Sequence, residues 1–118
     1  MTKDTKRRVF DAVHAALVAA FRIPEDDRIQ RLVEYDPEDF EIRPGRGERF
    51  TILTICAFEG RSLEAKRALY RELVDRLEPL GIPRLDLFIV LEEQPTENFG
   101  IRGGIPASEV NLGFQVQV

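Results

Sequence analysis

Arg61, in the run Gly60-Arg61-Ser62, stands where an apolar segment gives way to a helical one. Its planar fork of N–H donors is well shaped to grip a carboxylate through two parallel hydrogen bonds. A solvated arginine at a helix start would look the same, so both readings stand. Asp27 closes the acidic run behind Pro24; such a carboxylate can manage a proton or a water, or can serve a turn. Arg28 and Gln30 belong to the same word and are candidates to line a pocket beside it. Phe99, in Asn98-Phe99-Gly100, offers an aromatic wall that excludes water from a site, or packs against a neighbouring subunit. Arg102, followed by Gly103-Gly104, sits in a flexible loop able to approach a site or an interface. His14, on the edge of an apolar stripe, reads as a satisfied boundary histidine, and Cys56 as a packing thiol within a strand. With one His and one Cys, no transition-metal site of the usual ligands is expected, and no internal disulfide exists.

These residues belong to a chain of 118 positions, 43% hydrophobic and 32% charged, the balance of one soluble globular domain with a single modest core. The formal net charge of −4 argues against nucleic acid or an anionic membrane as the main partner. No apolar run approaches the roughly 20 residues of a membrane span. The first residues lack the apolar core of a signal peptide, which makes the cytoplasm the expected compartment.

Two helices are expected to position the candidates. Val9, Phe10, Val13, Leu17, Ala20 and Phe21 form one stripe of a helix from about Lys3 to Phe21, with Thr2 as N-cap. Leu69, Tyr70, Leu73, Val74, Leu77 and Leu80 stripe a second helix that begins at Ser62 and stops near Gly81. Ile29–Tyr35 and Asp86–Leu91 read as strands, and Pro37 to Glu48 as a loop. Phe50–Phe58 is apolar on both faces, the pattern of a strand covered on both sides. The tail Val110, Leu112, Phe114, Val116, Val118 alternates strictly, the pattern of a last strand with one face covered.

The chain repeats itself. Thr2-Lys3-Asp4-Thr5-Lys6-Arg7 matches Ser62-Leu63-Glu64-Ala65-Lys66-Arg67, and Ile23-Pro24 corresponds to Ile82-Pro83. Pro37-Glu38-Asp39-Phe40 matches Pro95-Thr96-Glu97-Asn98-Phe99, and Ile42-Arg43-Pro44-Gly45 matches Ile101-Arg102-Gly103-Gly104. One domain over 1–118 is therefore expected, with a first repeat over 1–49 and a second over 50–118 that includes the C-terminal strand. Each repeat is a strand–helix–strand crossover. The expected fold class is α+β, tandem βαβ units forming a mixed four-stranded sheet with two helices on one face. No third helix is available for the other face, so it is expected to be covered by further copies of the chain. By the same internal comparison, a strand like Phe50–Phe58 should precede Thr2, and it is absent from these residues.

The words FDAVHAALVAAF, IPEDDRIQ, GRSLEAKRALY and ENFGIRGGIPASEVNLGF, in that order, resemble the tautomerase superfamily, the group of 4-oxalocrotonate tautomerase and malonate semialdehyde decarboxylase. The resemblance spans nearly the whole chain and is strongest to the longer members, in which two βαβ units are fused. It implies a trimer, cofactor-free chemistry on keto and enol forms of small 2-oxo carboxylates, and an amino-terminal proline as general base. That proline would head the strand ahead of Thr2 and is not present in this sequence. The resemblance further implies that Arg61 grips the substrate carboxylate and that Asp27 assists catalysis, with Arg28, Gln30, Phe99 and Arg102 around the substrate. Glu59 stands where some members carry a second site arginine, which counts against decarboxylase activity in particular. The rival expectation is a catalytically inactive member with a structural or small-molecule-binding role.

Overall fold

The computed structural model describes residues 1–118. Helix α1 (Lys3–Phe21) and helix α2 (Leu63–Leu77) start in the same way. The hydroxyl of Thr2 accepts from the Thr5 amide at 3.1 Å, and that of Ser62 from the Ala65 amide at 3.1 Å. Each cap satisfies an amide the first turn would otherwise leave orphaned. The two exits correspond as well. Arg22 closes α1 in a left-handed conformation, and Gly81 does so after the 3₁₀ turn Glu78–Leu80 that extends α2.

The helices pack on each other and form the core. Val9, Val13, Ala16, Ala20 and Phe21 of α1 meet Leu69, Leu73 and Leu77 of α2, and Ile82 closes the end. Val9 with Leu69, and Val13 with Leu73, are the same repeat positions used twice. A fully buried leucine of this kind contributes about 1.5–3 kcal/mol of transfer free energy, so these few side chains carry most of the fold's cohesion.

Beneath the helices lie β1 (Thr51–Phe58) and β2 (Leu87–Gln94), parallel and paired from Thr51↔Leu87 to Phe58↔Gln94. With α2 between them they make the expected crossover. Leu53, Ile55, Leu87, Ile89 and Leu91 pack against the helical core. The opposite face is uncovered: Ile52 is 50% and Phe88 55% exposed. Cys56 lies on that open face and is exposed, so it is not the packing thiol its strand position suggests. The remaining elements are a two-residue antiparallel pair, β3 (Gly100–Ile101) and β4 (Ile105–Pro106).

The α+β class holds, but the sheets differ from the expected four-stranded one. Ile29–Tyr35 is not a hydrogen-bonded strand: no backbone–backbone hydrogen bond is made there, and Ile29 is 97% exposed. Its β-branched residues favour extended backbone, yet a strand also needs a neighbour within reach of its amides. The C-terminal strand is likewise unformed. The tail carries no regular pairing, although Val110, Leu112, Phe114, Val116 and Val118 are each half-buried between exposed neighbours. The side-chain alternation is realised, and only the ladder is missing.

Two side-chain contacts hold the connections. Asp86 is buried and accepts from the Gly47 amide at 3.0 Å, tying the 41–50 loop to the start of β2. A Cβ at Gly47 would come within 2.6 Å of the Asp86 carboxylate, so a side chain there would have to push that carboxylate aside. Glu78 accepts from Arg84 Nε and Nη2 at 2.9 and 3.0 Å, a fork across the turn that leaves α2. These bonds hold the Glu78 carboxyl below its ordinary pKa. Its contribution to stability is complete above the unfolded carboxylate pKa of about 4.3, and is lost as pH falls through the lower folded value. Glu78→Gln should therefore flatten the acid limb of urea-midpoint against pH; a limb identical to wild type would remove this pair from acid stability.

Candidate functional site

The parallel crossover brings three chain segments together at the carboxyl end of the sheet: the end of β1, the first turn of α2 and the end of β2. Arg61 sits at their junction and is only 8% exposed, unlike the solvated helix-start arginine that its sequence position also allowed. Its Nη1 donates to the Phe58 carbonyl at 2.8 Å, and its guanidinium carbon lies 4.7 Å from the centre of the Phe21 ring. Stacking on an aromatic face is a favourable place for a weakly hydrated planar cation. Nε is sealed from solvent and has no hydrogen-bond partner.

Burial pulls the Arg61 pKa below its ordinary value, and the carboxylates of Glu93 and Asp27 work against that. Two acids from different segments thus share the field of one buried cation. Glu93 follows from the register: it pairs with Ala57 and so falls on the helix-covered face of β2, where Lys66 of α2 reaches it in an ion pair. Asp27 comes from the turn after α1, in which the Asp27 amide donates to the Pro24 carbonyl at 3.1 Å. The Phe58 and Phe99 rings meet edge to face at 4.7 Å; by strand alternation Phe58 shares the face of Ile52 and Cys56, opposite that of Glu93.

Of the residues singled out from sequence, Arg61 is buried at this junction, Asp27 lies on an exposed turn whose charge acts on it, and Phe99 packs on the Phe58 ring. Arg28 and Gln30 are turned toward α1 instead. Arg28 Nη2 lies 2.7 Å from Asp11 Oδ1, Gln30 Nε2 donates to the Phe10 carbonyl at 2.9 Å, and Arg28, Gln30 and Phe10 line a small cleft of about 150 Å³. Arg102 is exposed with a positive φ of 50° and donates to the Asn111 carbonyl at 3.2 Å, fastening the β3–β4 loop to the tail. Phe58, Lys66 and Glu93 were missed. Strand register alone could have found Glu93, since it lies opposite Ala57 on the side that faces α2.

Three exposed acids in one surface turn, Asp36, Glu38 and Asp39, place their oxygens within 4.8 Å of one another, with nothing else there that points to a ligand. No helix is long and apolar enough to cross a membrane.

Arg61 depends on the residue before it. Gly60 has φ +130°, and a Cβ there would meet Gln117 Cγ at 3.1 Å and Val116 Cγ1 at 3.4 Å. Immediately beyond, the Ser62 amide donates to the Val118 carbonyl at 2.9 Å, so the tail closes over this turn. Gly60→Ala should cost about 1–3 kcal/mol through backbone strain, read as a lower urea midpoint at unchanged m-value. Wild-type stability would show that the turn relaxes without penalty.

Residues 27–102 match the family described as tautomerase enzyme. A probable tautomerase of Bacillus subtilis, YusQ, is 26% identical over 98 residues, which covers 78% of this chain and 77% of that protein. Among solved structures, FG41 malonate semialdehyde decarboxylase inhibited by 3-bromopropiolate superposes with a TM-score of 0.77 at 29% identity, covering 90% of this chain and 85% of that one. A wild-type fused 4-OT, a symmetric trimer, gives 0.81 at 25% identity, covering 91% and 88%.

Proposed function

We propose a function on the premise that this chain belongs to the tautomerase enzyme family: it interconverts keto and enol forms of small 2-oxo carboxylates without a cofactor. The observation that carries this reading is the buried guanidinium of Arg61, with an unpartnered Nε and a single internal acceptor. A buried cation with unused donors is costly unless an acceptor completes them. A substrate carboxylate is an acceptor of the right charge and shape.

Asp27, on the exposed turn after α1, is the proposed group for proton or water handling. In this reading Arg28 and Gln30 fasten the Asp27 turn to α1, and Arg102 holds the loop beyond Phe99. The family resemblance implies an amino-terminal proline as the base. Its amine would sit in a site made partly by Arg61, and a neighbouring cation holds such an amine toward a working pKa near neutrality.

The proposed assembly is a trimer acting on a small carboxylate. The open face of β1 and β2, with Ile52 and Phe88, and the exposed Ile29, Val33 and Tyr35 supply apolar surface for other copies. The similar fused 4-OT is a symmetric trimer. Light scattering should return three times the chain mass, and Phe88→Asp should return the mass of a single chain. A wild-type monomer would overturn the assembly.

Ketonisation of phenylenolpyruvate and binding of phenylpyruvate by calorimetry test the activity together. Arg61→Ala should lower kcat/KM by about 30- to 1000-fold, from the roughly 2–4 kcal/mol of a lost charged contact. Arg61→Lys, which keeps the charge and loses the fork, checks folding and should recover only part of it. Binding that requires Arg61 without turnover would select the inactive, ligand-binding member. Neither turnover nor binding would remove the site.

A further inference from the structure

The Nε of Arg61 is sealed from solvent, so no ligand reaches that free donor while the segments around it stay in place. Two of those segments are fixed. Phe21 is a core residue 2% exposed, and the Phe58 carbonyl ends a parallel ladder that is continuous from Thr51. The third is the segment Val110–Val118, which touches the residues on both sides of Arg61. The Ser62 amide donates to the Val118 carbonyl at 2.9 Å. On the other side, Gln117 Cγ and Val116 Cγ1 crowd Gly60, at 3.1 and 3.4 Å from where a Cβ would stand.

This segment is lightly held. Its bond to Ser62 is the only backbone–backbone hydrogen bond that residues 111–118 make. Arg102 fastens the far end through the Asn111 carbonyl, and the Gly113 amide donates to Asn111 Oδ1 within the segment itself. Leu112, Phe114, Val116 and Val118 are half-buried between exposed neighbours, with Val118 packed against the helical core. A stretch with unpaired backbone and few buried contacts opens at a lower free energy than the core elements beside it. Gly113, with φ +79°, supplies a backbone able to take up the change in direction.

We propose that residues 114–118 are a gate on Arg61: they swing about Gly113, break the Ser62–Val118 bond and admit a carboxylate to the buried guanidinium. Opening frees two donors on adjacent residues, the Arg61 Nε and the Ser62 amide at the start of α2. Both suit a carboxylate, one by charge and shape and the other as a helix N-terminal amide. The Val118 carbonyl oxygen thus holds, in the closed form, the place of a ligand oxygen on Ser62. The carboxylate as occupant rests on the proposed role of Arg61, whereas the opening is a property of the fold.

Phenylglyoxal modification, located by mass spectrometry, reads access to Arg61 directly in wild type, Gln115→Gly and Val116→Gly. Gln115 is exposed, so its replacement adds backbone freedom alone, while Val116→Gly also removes the contact with Gly60. Exposed Arg31 is the internal standard. In wild type Arg61 should react more slowly than Arg31, yet about tenfold or more faster than the globally unfolded fraction from urea titration allows. Gln115→Gly should raise the Arg61 rate about two- to fivefold and Val116→Gly about tenfold, with Arg31 unchanged. Affinity for phenylpyruvate by calorimetry should rise by the same factors, because the closed population weakens a ligand that binds only the open form. An Arg61 rate that merely tracks global unfolding, or that ignores both variants, would overturn the gate. So would phenylpyruvate binding that weakens in both variants, since the segment would then be a wall of the site. Gated modification in a protein that binds no phenylpyruvate would remove the carboxylate role of Arg61 and leave the gate standing.

Discussion

The burial of Arg61 is the constraint on which the proposed site depends. A guanidinium cannot be withdrawn from water without acceptors and opposite charge around it. Each neighbour that meets this need comes from a different segment. Phe58 offers a carbonyl from the end of β1, Phe21 a ring from the end of α1, and Glu93 and Asp27 supply negative charge from β2 and the turn after α1. The arginine can be there only because a parallel crossover returns β2 beside β1 with α2 above them. That topology places both strand ends and a helix start at one point, where binding sites of such sheets gather. The buried cation and the shape of the fold are one fact seen at two scales.

The same topology leaves the opposite face of the sheet bare. The helices cover Leu53, Ile55, Ile89 and Leu91, while Ile52, Phe88 and the thiol of Cys56 look outward. Two layers of this size bury one face of each element and no more. The extended stretch Ile29–Tyr35 shares the condition: its apolar side chains are largely exposed and its backbone is unpaired. The core and the buried Arg61 therefore lie on the helix side, and the exposed apolar surface lies on the other. A change to one can be made with little direct contact to the other, which is why a substitution at Phe88 and one at Arg61 report on different properties.

Much of this was legible in the residues. The repeated TKDTKRR and SLEAKRA predicted two helices with equivalent caps, and Thr2 and Ser62 do cap at the same bond length. The matched Pro37–Phe40 and Pro95–Phe99 words became matched 3₁₀ turns, closed by Phe40 and Phe99 amides on the carbonyls of Pro37 and Thr96. Those features were readable because caps and tight turns are settled within four residues of sequence. The strands were less so. Ile29–Tyr35 and Val110–Val118 have the composition and alternation of strands, yet pairing is a property of two segments, and one segment's residues do not report whether a partner lies alongside.

What the sequence determined by itself is local and periodic: helix bounds, caps, the apolar stripes of the core, the crossover and the duplication that organises them. What tertiary structure decided is which polar side chains meet. Arg61 became a buried cation instead of a solvated one, and Arg28 and Gln30 were drawn to α1. His14 lost contact with water while acquiring only a distant carboxylate. Secondary structure is written in spacings of two, three and four residues, which a chain carries along its length. A charge's environment is set by desolvation and by groups tens of residues away, and those come together only when the chain has folded.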